Sequence, residues 1–180
     1  MFRHVLAAAV MALMFAAPAV AADSDNLQTF RAVQKQILQY SHFTIFDDVD
    51  VQVNSGAVTL TGKVTMPYKR DDIEKRILRV AGVNRVDNRL EVLPVSQFDD
   101  QLRLGIAQAI YSNPAFRGMV SMVNPPIHVI VDHGHVTLDG VVLNDVDRAI
   151  ARSIAGNFPA FSITNALKTE AEVQQELEKL

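Results

Sequence analysis

Hydrophobic and polar residues alternate twice along this chain. Val49, Val51 and Val53 lead into Ser55-Gly56 and then Val58, Leu60 and Val64; Val129 and Val131 lead into His133-Gly134 and then Val136, Leu138 and Val142. A period of two predicts half-buried strands. Glycine in the second place of a two-residue turn tolerates positive φ, so each pair of strands is expected to form a hairpin. The turn sets the register, with Val53 opposite Val58 and Val51 opposite Leu60, and in the second hairpin Val131 opposite Val136 and Val129 opposite Leu138. Asp50, Gln52, Thr59 and Thr61, and then His128, Ile130, Thr137 and Asp139, fall on the other faces, which are expected in water.

The two hairpins are copies. Val49–Val64 and Ile127–Val142 align at an offset of 78 with eight of sixteen positions identical, where roughly one would match by chance. A helical stripe precedes each hairpin: Leu27, Phe30, Val33 and Ile37, then Leu102, Ile106 and Ile110. Another follows each. Ile73, Ile77 and Val80 run from a Thr65 cap and Pro67 to Gly82; Val146, Ile150 and Ile154 run from an Asn144 cap to Gly156. A third strand closes each unit, through Val86, Leu90 and Val92 and through Ile163 and Leu167. The fold class is therefore α+β: two tandem α-β-β-α-β units, each a small three-stranded sheet with two helices packed on one face. The units span residues 22–93 and 98–168, with a linker at 94–97 and an amphipathic tail at 169–180. Cores this small favour mutual docking of the units.

Residues 1–21 read as a signal peptide. Arg3 precedes an apolar run from Val5, Pro18 breaks it, and Ala19-Val20-Ala21 offers small residues for cleavage near Ala22 or Asp23. The rival is a membrane anchor, since Val5–Ala22 is 18 uncharged residues, at the lower edge for a bilayer of ~30 Å and rich in alanine. Cleavage is the reading adopted, which places the mature chain outside the cytoplasm. The 180 residues include no cysteine, so packing alone must hold the fold there.

The repeated pattern V-x-V…G-x-V-T-L-x-G-x-V resembles the BON-domain family (bacterial OsmY and nodulation). Ala81-Gly82-Val83-Asn84-Arg85-Val86-Asp87-Asn88-Arg89-Leu90 is similar to the family's G-V-x-x-V-x-N-x-L closing strand. Phe158–Leu167 keeps Asn165 and Leu167, is one residue shorter and lacks Gly-Val. The resemblance covers nearly the whole mature chain. It implies a non-enzymatic, OsmY-like periplasmic module with two tandem BON domains, associating with phospholipid surfaces in osmotic or envelope stress. Relatives that are lipoproteins carry an anchoring cysteine, so a soluble periplasmic protein is the nearer comparison.

Charge and motifs narrow the chemistry. Seventeen Lys+Arg against twenty Asp+Glu give a net charge of −3, which argues against a nucleic-acid partner. There is no G-x-S-x-G, P-loop or Cys nucleophile, and the acid pairs Asp47-Asp48, Asp71-Asp72 and Asp99-Asp100 are expected at turns and helix starts. No enzyme and no cofactor are expected. His128, Asp132, His133 and His135 lack three convergent ligands, and no metal site is expected either. Two surfaces are candidates for anionic phospholipid. One is the Pro114–Pro126 segment, with Phe116, Arg117, Met119, Val120, Met122 and Val123 for apolar and headgroup contact. The other is the helix bearing Lys69, Arg70, Lys75, Arg76 and Arg79, which would steer toward headgroups. The bland alternatives are that the loop covers a bare sheet or helix face, and that the basic helix is a solvated face balanced by Asp71, Asp72 and Glu74. A protein partner in the envelope, meeting the same surfaces, is the other reading of function.

Overall fold

Both hairpin turns place two consecutive residues at positive φ: Ser55 and Gly56 at 49° and 79°, His133 and Gly134 at 51° and 77°. This is the twist that matches right-handed strands. The computed structural model describes residues 19–177. The first unit runs α1 (Ala19–Leu38), β1 (Asp48–Asn54), β2 (Ala57–Val64), α2 (Pro67–Ile77), β3 (Arg85–Asn88) and β4 (Glu91–Val92). The second runs α3 (Gln97–Ser112), β5 (Ile127–Asp132), β6 (His135–Val142), α4 (Asp145–Ala155), β7 (Ser162–Asn165) and β8 (Lys168–Thr169), with α5 (Glu170–Leu177) behind it. The leader expected over residues 1–21 lies outside the described residues except for its last three, which belong to α1.

Each hairpin is antiparallel in the expected register, and β2 and β6 then pair in parallel with the closing strands. The single third strand expected from sequence comes in two pieces. Between β3 and β4 the ladder is interrupted opposite Thr61 and Gly62, and the register resumes at Lys63–Glu91; β7 and β8 repeat this on β6. Each sheet thus has four short strands. Gly62 and Gly140 sit at φ 115° and 116°, where a Cβ would meet the carbonyl oxygens of Asp48 and Pro126 at 2.4 and 1.9 Å. Only glycine fits there.

Val33, Ile37, Val58, Leu60, Val64, Ile73 and Ile77 form the first core; Ile106, Ile110, Val129, Val131, Val136, Leu138 and Ala151 anchor the second. Local chemistry sets the helix ends. Ser96 and Asn144 accept from Asp99 and Asp147 amides as side-chain caps. Thr65 does not cap α2. The cap position is Met66, and the Thr65 hydroxyl is engaged by Asp47 and Lys69 instead. Thr169 and Glu172 form a reciprocal capping box that opens α5, and Arg148 holds Glu172 at 2.9 Å.

The outer sheet faces, expected in water, partly cover each other. Ile130 lies on that face of β5 yet is 5% exposed. Ile45 and Phe46, from the segment before β1, pack against the second core. The Val129 amide donates to the Ile45 carbonyl at 2.7 Å, and His128 Nδ1 lies 2.5 Å from the Asp47 carbonyl while its ring meets Phe43. Lys63 of β2 pairs with Asp132 of β5. Small cores gain from this shared burial.

Candidate functional site

The polar face of α1 and the exposed side of α2 enclose a groove of about 650 Å³ lined by Lys35, Lys75, Arg76, Arg79, Tyr40 and Asp72 among others. Tyr40 organises it. Its hydroxyl donates to Asp72 at 2.9 Å, and the Arg76 guanidinium lies 4.8 Å from its ring centroid, a cation–π geometry that fixes one cation in place. Burial, with Asp72 beside it, pushes the Tyr40 phenol well above its ordinary value. Among the described residues, Lys35, Lys75, Arg76 and Arg79 make no salt bridge, so the groove faces solvent with an excess of positive charge.

A second groove of about 580 Å³ adjoins the first and shares Lys35, Gln39 and Tyr40 with it. It is also lined by Arg31, Leu38, Phe43, Val123 and Asn124. The Asn124 amide donates to the Leu38 carbonyl at 2.9 Å, which holds the second unit's loop against the end of α1. Val123 is 94% exposed, and Val120 and Met122 are exposed beside it. An apolar loop of one unit therefore borders a basic groove of the other.

Two residues expected on these surfaces are elsewhere. Phe116 is completely buried in the second core, where the short 3-10 turn at Arg117–Met119 folds back over α3; the segment needs one large side chain to anchor it, and Phe116 is that anchor. Met119 is half-buried against the same core, while Arg117 is exposed. Lys69 is also buried, with its ammonium bonded to Asp47 and Thr65. It is a structural cation and cannot steer. Arg70 is exposed and lies 3.6 Å from Asp71. Arg31 and Lys35 were missed by sequence reading, although their i, i+4 spacing on the polar side of α1 was visible.

The acid pairs have structural roles beyond helix starts. Asp47 is fully buried and accepts from the amides and hydroxyls of Thr44 and Thr65. Burial pushes its carboxyl up, but Lys69 and the two threonines outweigh this and hold it below the usual range. Asp99 accepts from the His133 and Gly134 amides, so α3 holds the second hairpin turn. Asn26 does the same for the Ser55 amide in the first unit. The histidines do not converge: His128 faces Asp47 and Phe43, His133 bonds Asp132, and His135 bonds Ser162. Among the described residues no group of three or more His, Asp or Glu side chains is placed to hold a metal, and no helix is long and apolar enough to cross a membrane.

A family model described as BON domain matches residues 25–94 and 99–171. No curated protein matches the chain. Among solved structures, the C-terminal domain of CdsD, titled the structural protein of the type III secretion system of Chlamydia trachomatis, is 16% identical; the match covers 83% of this chain and 68% of that one, with a TM-score of 0.34. A second CdsD structure from the same organism is 13% identical over 84% of this chain and 97% of that one, with a TM-score of 0.28.

Proposed function

The chain belongs to the BON-domain family, and from that premise we propose that it is a non-catalytic envelope protein that attaches reversibly to anionic phospholipid surfaces. Members of the family are generally binding modules, typically periplasmic or otherwise associated with the envelope. The carrying observation is that Lys35 lines both grooves. It joins the cations of α1 and α2 to the exposed Val123 loop, so charge and apolar surface are available side by side. Basic residues near an anionic surface each contribute about 1 kcal/mol, while exposed valine and methionine enter the headgroup boundary. The periplasmic location and a role in osmotic or envelope stress belong to the same reading.

Co-sedimentation with vesicles tests it. Binding is expected to vesicles containing phosphatidylglycerol at low salt, and to weaken with added salt and in purely zwitterionic vesicles. Absence of binding to the anionic vesicles at low salt would overturn the reading. A protein partner in the envelope is the second reading, favoured by Phe98 and Phe161, whose rings lie 5.8 Å apart and remain 40% and 73% exposed away from the basic groove. A pulldown that tolerates salt, with indifference to vesicles, would select it.

A further inference from the structure

The two hairpins differ at their outer edges. In a hairpin closed by a two-residue turn, alternate residues of each strand turn their N–H and C=O away from the partner strand. On β5 these are Ile127, Val129 and Val131, and other parts of the chain bond them. The Tyr111 hydroxyl donates to the Ile127 carbonyl at 2.7 Å and accepts from its amide at 3.0 Å. The Val129 amide donates to the Ile45 carbonyl, and the Arg103 guanidinium donates to the Val131 carbonyl at 2.6 Å. At the repeat offset of 78 the matching residues of β1 are Val49, Val51 and Val53. Among the described residues nothing bonds this side of them. The helices explain the difference. Val33 and Ile37 of α1 fill the first core as Ile106 and Ile110 of α3 fill the second, which puts Phe30 where Arg103 stands and Leu38 where Tyr111 stands. Neither side chain carries a group that can bond a strand edge. From this contrast we propose that the free edge of β1 accepts an extended segment of a partner protein, in which apolar residues alternate with Lys or Arg.

The second unit shows what the edge takes. The carbonyl that meets the Val129 amide comes from backbone of the other unit, and that backbone is already seated on β5. The Val51 amide, which matches Val129, has no such carbonyl within the chain. Its strand is seven residues long with neither Lys nor Pro, the residues that most often guard an exposed edge. The chemistry of the incoming strand follows from the two faces it would extend, because its successive side chains point to opposite sides. On the core face they meet the half-buried valines of β1 and Leu38, which is 42% exposed; apolar side chains fit there. On the outer face they meet Asp48 and Asp50. Neither carboxylate has a salt-bridge partner among the described residues, since Lys63, opposite Asp48, bonds Asp132 instead. Opposite charges on neighbouring strands attract and like charges repel, so this face selects Lys or Arg. Backbone bonds then supply affinity, and the alternation supplies selectivity.

The probe is a capped peptide of alternating Lys and Val, as long as β1, added to the full chain while amide exchange is followed by NMR. At about ten times its Kd, exchange of the Val49, Val51 and Val53 amides should slow about tenfold. The Asp50 and Gln52 amides, which face β2, should change far less. A peptide with Glu in place of Lys should bind about fivefold more weakly, and one with Pro at its central Val should lose the edge bonds and the protection. Asp50→Lys, at an exposed position, should remove the preference for Lys over Glu; Asp50→Asn, kept in case that change is not tolerated, should reduce it. No binding of the Lys-Val peptide up to about 1 mM, binding that leaves the three valine amides unprotected, or an unchanged preference in the folded variant would each overturn the proposal.

Discussion

The ammonium group of Lys69 lies 2.6 Å from the carboxylate of Asp47, and both side chains are almost wholly withdrawn from water. Thr44 and Thr65 satisfy the remaining carboxylate valences. The network ties the start of α2 to the segment ahead of β1, the same segment that reaches into the second unit. Removing one member of such a pair strands the other charge. Lys69→Met is therefore expected to lower stability by about 3–5 kcal/mol, measured by urea unfolding of the full chain. The double variant Lys69→Met with Asp47→Leu should recover part of that loss. A cost below about 1 kcal/mol for the single change would mean the pair is not desolvated as drawn.

Asp47 and its chain neighbour Asp48, the first residue of β1, which burial and then the Asp139 and Asp50 carboxylates push up, give opposite pH dependences. Asp47 is held below its unfolded value, so its contribution is present above about pH 4 and is lost as pH falls through its folded value. Asp48 is raised to about 7; its contribution is present in full below about pH 4 and is lost as pH rises toward 7. Thermal stability is expected to peak at mildly acidic pH and to decline on both sides. Asp139→Asn should flatten the decline toward neutrality and leave the acid side in place. Differential scanning calorimetry from pH 3 to 8 reads both limbs.

Much of this architecture was legible because it repeats. The V-T-L-x-G core and the Ser55-Gly56 and His133-Gly134 turns predicted hairpins whose register the structure reproduces pair by pair. Periodicity could not reveal that Ile130 and its neighbours face another sheet, since burial between units leaves no period of its own. Phe116 and Lys69 were misplaced for a related reason. Composition marks a loop as apolar or a helix as basic, but which member turns inward is decided by tertiary partners, here the second core and Asp47. The pairing of the Val123 loop with α1 joins residues far apart in the chain, and only coordinates bring them together.

Glycine substitutions separate backbone strain from side-chain crowding. Gly140 and Gly134 both have positive φ, at 116° and 77°. A Cβ at Gly140 would meet the carbonyl oxygen of Pro126, whereas at Gly134 it would meet the exposed ring of Phe161 at 2.7 Å. A ring on the surface can move aside; a strand backbone cannot. Gly140→Ala is expected to cost about 2–3 kcal/mol or to prevent folding, and Gly134→Ala about 1 kcal/mol. Equal costs in chemical denaturation would show that the Phe161 ring is as fixed as the Pro126 backbone.

Vesicle binding should divide into an electrostatic and an apolar part, carried by different residues. Lys75 and Arg79 line the α1–α2 groove and are exposed, so Lys75→Gln and Arg79→Gln should each weaken binding to phosphatidylglycerol vesicles about fivefold at low salt. The loss should shrink as salt screens the groove. Val123→Asp places a charge at an almost fully exposed apolar position and is expected to weaken binding at both low and high salt, without lowering stability. Phe116→Ala is the control for the buried side of the same loop. It empties a fully buried site and should cost about 3–5 kcal/mol of stability, while the folded fraction keeps its salt dependence. If Val123→Asp binds like the parent chain at every salt concentration, the loop takes no part in attachment, and the basic groove acts alone.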